Sequence, residues 1–235
     1  MTRDGKSERA SPAKPNRPRD PERTETDILK AAVREFAQHG YHGARIVRIA
    51  KAAKCNARMI YHYFGGKEPL YIAALDSVYA AIRNREAALS LSEDDPVGSV
   101  RRLVAFTFDY FHENQDFLSI TRNENMLGGK FIRRSRMIQS MSHPLTASIG
   151  RLLDRGIEAG VFRFRPDPLQ LYLSIVALSA HHLNNAATLS ATFGADLTDP
   201  DWRAQRRDHV ITMILRDLGA DAGAPLDGAE QSPER

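Results

Sequence analysis

The chain has little of what would place it in several large protein classes. It has one cysteine, Cys55, among 235 residues; this excludes an internal disulfide framework and fits a reducing compartment. No apolar run approaches the roughly 20 residues that a membrane-spanning helix needs. The N-terminus is charged and Pro-rich, with no hydrophobic signal segment, so a cytoplasmic protein with no membrane partner is expected. Between residues 23 and 218 there is no sustained period-two alternation and no Asn-Gly or Asp-Gly hairpin dipeptide. A β fold therefore has no support. His-Glu-x-x-His, Gly-x-Ser-x-Gly and phosphate-loop patterns are also missing, so neither a catalytic nor a metal site is expected, nor a cofactor.

What remains is globular and electrically lopsided. Hydrophobic content of 42% and charged content of 26% are ordinary for a folded domain. Residues 1–70 hold 15 Lys/Arg against 8 Asp/Glu, and residues 71–235 hold 18 against 21. Only the first part is therefore suited to meeting a polyanion. Residues 1–22, with four prolines and no large apolar residue after Met1, read as a disordered basic arm; residues 219–235 read as a disordered tail.

Between them the periodicity is helical. A first helix is expected from about Thr24 to His39, with Ile28, Ala32 and Phe36 on one stripe and Gly40 as its stop. A short second helix, about 45–53, buries Ile46, Ile49 and Ala50. Asn56 caps a third from Ala57 to Phe64, which turns Arg58, Met59 and His62 outward and Ile60 and Phe64 inward. Gly65-Gly66 ends it, and a fourth helix from Lys67 carries Leu70, Ala74, Val78 and Ile82. Three short helices with a tight turn between the second and third describe a helix-turn-helix over 23–69. Residues 70–218 then form a second helical domain with segments at about 97–112, 115–127, 131–159 (kinked or broken by Pro144), 168–189 and 201–218. The fold class is all-α, with about nine helices.

The run Ile46-Val47-Arg48-Ile49-Ala50-Lys51-Ala52-Ala53 followed by Ile60-Tyr61-His62-Tyr63-Phe64-Gly65-Gly66-Lys67-Glu68-Pro69-Leu70 resembles the DNA-binding signature of the tetracycline-repressor (TetR-type) family. The match extends without a gap over 47 residues, from Thr24 to Leu70. The later Gly156–Arg163 turn, Asp167-Pro168 and two long helices resemble that family's effector and dimerisation domain more loosely. Three departures stand out. Lys54 occupies a turn position usually held by Gly, where a positive φ has a mild cost. Arg45 replaces the hydroxyl that normally caps the second helix. Ala57 and Arg58 replace the residues common in relatives, so the operator sequence cannot be carried over.

The resemblance implies a ligand-responsive regulator, a repressor released from a palindromic double-stranded operator when a small molecule binds the C-terminal domain. It implies a homodimer joined through the helices at about 168–189 and 201–218. Arg58 and His62 lie one turn apart and are candidates for base contact, while Tyr61, Tyr63 and Lys67 match phosphate-contacting positions. Arg45, Val47, Arg48, Asn56, Ala57 and Met59 complete the expected DNA-binding set. Phe108, Glu124, Met141 and His181 are the expected lining of an effector pocket. His181 and His182 point about 100° apart on a helix, so they do not form a ready ligand pair. The competing readings are a DNA-compacting protein without sequence preference and an all-helical enzyme.

Overall fold

A computed structural model describes residues 21–89, 91 and 94–221. The expected basic arm, but for its last two residues, and all but the start of the expected tail lie outside them. Every regular element among the described residues is helical. The first four are α1 (Pro21–Gly43), α2 (Ile46–Ala52), α3 (Ala57–Phe64) and α4 (Lys67–Ala87). There follow α5 (Pro96–Glu113), α6 (Gln115–Met126), a 3-10 turn (Ile132–Arg134), α7 (Arg136–Glu158), α8 (Pro168–Asn184), α9 (Ala186–Phe193) and α10 (Pro200–Asp217).

Four boundaries differ from the sequence expectation. The first helix begins at Pro21, so Thr24 lies within it and not at its start. Gly40 does break the first helix, at φ 63°, but a further turn of helix follows it to Gly43. The expected helix over 168–189 divides at Asn185, whose backbone leaves the helical region and whose side-chain amide donates to the His181 carbonyl at 2.9 Å. The expected segment from 131 starts as a 3-10 turn, and α7 opens only after Ser135, whose hydroxyl accepts the Ile138 N–H at 3.1 Å. Pro144 neither ends nor divides α7. The carbonyl it leaves without a helical donor belongs to Ser140, and both residues are exposed, so solvent can serve it.

Two apolar clusters hold the molecule together. The first joins Ile28 and Phe36 of α1, Ile49 of α2, Ile60 of α3 and Leu70 of α4, all fully buried. It does not stop at the helix-turn-helix: Ile120 of α6, Phe131 and Ile138 belong to it as well. Rings carry the join, with Phe36 4.8 Å from Tyr71, Tyr71 5.1 Å from Phe131, and Phe131 4.4 Å from Tyr41. Each such pair adds about 0.5–1.5 kcal/mol beyond the area it buries. The second cluster packs Val104 and Phe108 of α5 against Leu153 of α7, Ile175 of α8 and Leu215 of α10. At the end of α7, Gly156 lies so close to the Phe162 ring that a β-carbon would sit 1.9 Å from it, so only glycine permits this turn. Leu169 and Leu173 on α8 stay 50% exposed and Met213 on α10 42%, while α9 buries none of its side chains.

Candidate nucleic-acid interface

The recognition geometry starts from the turn between α2 and α3. Lys54 adopts φ 53°, so the turn keeps the left-handed residue that glycine usually supplies, at the steric cost of a β-carbon. The Cys55 N–H bonds the Ala50 carbonyl at 2.9 Å and closes the turn. Asn56 then caps α3, its side-chain oxygen accepting the Arg58 N–H at 2.9 Å. Ile60 is fully buried and anchors the inner face. On the outer side Arg58, Tyr61 and His62 are exposed. Met59, expected outward, is instead half-buried with Ala57 and Tyr63 against the N-terminal core, because the short helix needs more than Ile60 and Phe64 to seat it.

The segment from Arg45 to Gly66 contains five Lys/Arg and no acidic residue. Val47 is 73% exposed, an apolar side chain presented to solvent on α2 beside this positive charge. Not every cation on the segment is at liberty. The Arg48 Nε donates to Glu35 Oε1 at 2.7 Å and its Nη2 to the Gly43 carbonyl at 2.7 Å, while the Arg45 backbone N–H also donates to Glu35 Oε1 at 2.9 Å. Burial pushes the Glu35 carboxyl up, but the hydrogen bonds from Arg48 and Arg45, with the Arg48 charge, outweigh it and hold the group below its ordinary value. Glu35 thus pins the start of α2 from α1, through the N–H of Arg45 and the guanidinium of Arg48, while α2 itself carries no side-chain cap bond. Nothing in the sequence around it signals the role.

Lys67 is similarly placed between two duties. Its Nζ donates to the His42 carbonyl at 3.3 Å and lies 5.0 Å from the Tyr41 ring centre. Burial lowers its pKa, and the Arg48 charge adds to that, against an opposing pull from Glu35. Arg45 stays exposed.

The four expected effector-pocket residues do not line one cavity. Phe108 is fully buried in the second cluster, 5.2 Å from the His182 ring. Glu124 is buried at the end of α6, where its Oε1 accepts the Phe131 and Ile132 N–H groups at 2.6 and 3.0 Å. His181 is exposed and borders a shallow depression with Val176 and Arg206. Only Met141 lines a sizeable cavity, a partly open one of about 380 Å³ between α4 and α7. His181 and His182 diverge as expected, His182 being buried. A residue outside the expected sites, in the polar run Asn123-Glu124-Asn125, ties the two parts together: the Asn123 amide on α6 donates to the Phe36 and Ala37 carbonyls of α1, both at 3.1 Å.

Residues 28–74 match the family model described as bacterial regulatory proteins, tetR family, and residues 96–214 match that of the tetracyclin repressor-like C-terminal domain. The HTH-type transcriptional repressor NicS of Pseudomonas putida is 36% identical over 197 residues, which cover 84% of this chain and 93% of NicS. This chain belongs to the TetR family. It is a DNA-binding transcriptional regulator with an N-terminal helix-turn-helix and a helical C-terminal domain. The TetR-family chain is also 41% identical over 193 residues to the HTH-type transcriptional regulatory protein RaaS of Mycobacterium tuberculosis, covering 81% of each. Its fold is shared with the transcriptional regulator FadR of Bacillus subtilis, solved in complex with stearoyl-CoA (TM-score 0.59, 17% identity, 81% of this chain and 97% of that one).

Proposed function

We propose that this TetR-family regulator is a cytoplasmic repressor that binds a two-fold operator as a homodimer and leaves it when a small molecule enters the C-terminal domain. The observation that carries the DNA-binding part is the Arg45–Gly66 segment, basic throughout, with Arg58, Tyr61 and His62 exposed on a helix anchored from behind. Arg58 and His62 read base edges in the major groove. Tyr61, Tyr63, Arg45 and Lys67 contact phosphate, and Val47 packs on the backbone or a thymine methyl. Asn56, Ala57 and Met59 hold the helix in place, and Arg48 positions α2 through Glu35.

Dimerisation is assigned to α8 and α10, where Leu169, Leu173 and Met213 lie open to solvent in the single chain. Two recognition helices must lie about 34–36 Å apart, or a multiple, to enter successive grooves. A ligand that binds one spacing better than another therefore controls occupancy of the operator. The test is competition, by fluorescence anisotropy, between DNA flanking the protein's own gene and random duplex. A regulator prefers a discrete flanking site by about 10³-fold or more. Equal affinity for both would identify a non-specific DNA-compacting protein instead.

A further inference from the structure

One helix, α4, runs unbroken from Lys67 to Ala87 and belongs to both parts of the molecule. Its first turns are part of the reading head, with Leu70, Tyr71 and Ala74 fully buried in the N-terminal cluster. Its last turns carry Arg83 and Glu86, and from Leu70 to Glu86 the axis covers about 24 Å. There the helix meets α8. The Tyr172 hydroxyl donates to Glu86 Oε1 at 3.0 Å, and Arg83 donates to Glu86 Oε2. The Arg83 guanidinium lies 5.2 Å from the centre of the Tyr172 ring. All three side chains are largely withdrawn from solvent, Glu86 most of all. Burial, with the Glu86 charge beside it, raises the Tyr172 pKa, so the phenol keeps its proton and serves as the donor.

Apolar contact is non-directional and tolerates sliding, whereas a hydrogen bond weakens steeply when it is bent. A buried ion pair gains little stability over apolar residues of similar volume, because both charges must leave water; its best-attested service is to fix register. Register matters at this end of α4, which on its α7 side borders the partly open cavity lined by Met141, Leu145 and Leu152. The first turn of α8 also presents Leu169 and Leu173 to solvent, on the face assigned to the partner subunit. Tyr172 thus ties the reading head's long helix to the element that decides where a second subunit lies.

We propose that Arg83, Glu86 and Tyr172 are positioning residues, which lock the angle of α4 on α8 and so set the separation of the two reading heads in the dimer. The proposal rests on the reading that α8 and α10 join the subunits. Over about 24 Å of helix, a tilt of about 5° at the anchor moves the far end by about 2 Å. Both heads move, so the separation that must match successive grooves changes by up to twice that.

The experiment measures that separation directly by double electron–electron resonance on the full-length protein. A spin label is placed on exposed Lys51 of α2, in a Cys55→Ala/Lys51→Cys background, since Cys55 is the sole native cysteine. The parent is expected to give one narrow distance distribution. Tyr172→Phe, which removes only the hydroxyl, and Arg83→Met/Glu86→Met, which removes the ion pair as a unit, should each at least double its width. Both should still sediment as dimers and melt cooperatively. Each should lose operator affinity by about tenfold or more while random-duplex affinity stays within about twofold, because only the two-headed complex needs a fixed separation. Val104→Ala, a core truncation in α5 outside the triad, controls for general loosening. A width unchanged in both triad variants overturns the proposal and leaves the dimer reading standing, as does equal broadening in Val104→Ala. A parent with no dipolar signal is a monomer, which overturns the dimer reading and the proposal with it.

Discussion

Arg48 and Arg58 are both arginines on the reading head, yet their surroundings divide their roles. Arg48 is committed to Glu35 and the Gly43 carbonyl, whereas Arg58 gives only its backbone N–H to a cap and leaves an exposed side chain. Arg58→Ala is therefore expected to weaken operator binding by about 1–3 kcal/mol and random-DNA binding far less. Anisotropy titrations on both duplexes check this, and equal losses would reduce Arg58 to a phosphate contact. Buried His182 makes a prediction about acid. Both of its ring nitrogens lack partners, and burial, reinforced by the charges of Arg206, His112, His181 and Arg203, pushes its pKa down to about 4. Above about pH 6.5 the imidazole is neutral folded or unfolded, and this group adds no pH dependence. As pH falls toward 4 the unfolded chain takes up a proton that the folded chain resists, so stability drops by up to roughly 3 kcal/mol. His182→Phe, which keeps a ring against Phe108 and Trp202, should flatten that decline in urea unfolding at pH 7.5, 6 and 5. An unchanged slope would place the acid sensitivity elsewhere.

Among the elements, those with a local chemical signal agree best with the sequence reading. Asn56 before α3 and Asp167-Pro168 before α8, both read as helix starts, carry cap bonds in the structure; Asp95-Pro96 before α5 and Asp199-Pro200 before α10, which the sequence reading did not assign as caps, carry them as well. Elements shaped by distant partners were not legible. No periodicity marks the break at Asn185, which rests on a side-chain bond to His181, or the seating of Met59 against the N-terminal core. The reading head's exposed residues could be placed because family motif and helical period coincide there. The effector residues scattered because a pocket belongs to the packing between helices and leaves no spacing along any one of them. The α6–α1 contact is a case in point, since Asn123 and its acceptors are 86 and 87 residues apart. Asn123→Ala would leave the Phe36 and Ala37 carbonyls without that donor and is expected to lower stability by about 1–2 kcal/mol. Denaturant unfolding measures it, and a change below about 0.5 kcal/mol would mean solvent replaces the amide.

For the whole molecule, the single chain leaves Leu169 and Leu173 of α8 and Met213 of α10 open to solvent. Leu173→Asp or Met213→Glu places a charge where a partner subunit is proposed to lie, and a buried unpaired charge opposes association. Each variant should sediment as a monomer at micromolar concentration and lose operator binding, with helical circular dichroism retained. If both still sediment as dimers, the interface lies elsewhere.

The apolar cluster that runs from the helix-turn-helix into α6 and Phe131 bears on a different matter, the transplanting of DNA specificity between relatives. A chimaera cut at the end of the recognition motif, after Pro69, would separate Leu70, Tyr71, Ala74 and Leu75 from the graft they pack against. Their new neighbours would have been shaped by another protein's rings, and interiors tolerate such mismatches poorly. An exchange that travels well must therefore carry the first half of α4 with it. It must also bring a matching Asn123, Phe131 and Ile138 from the other side of the seam. Specificity in this chain is portable only together with the surface that α6 offers to α1.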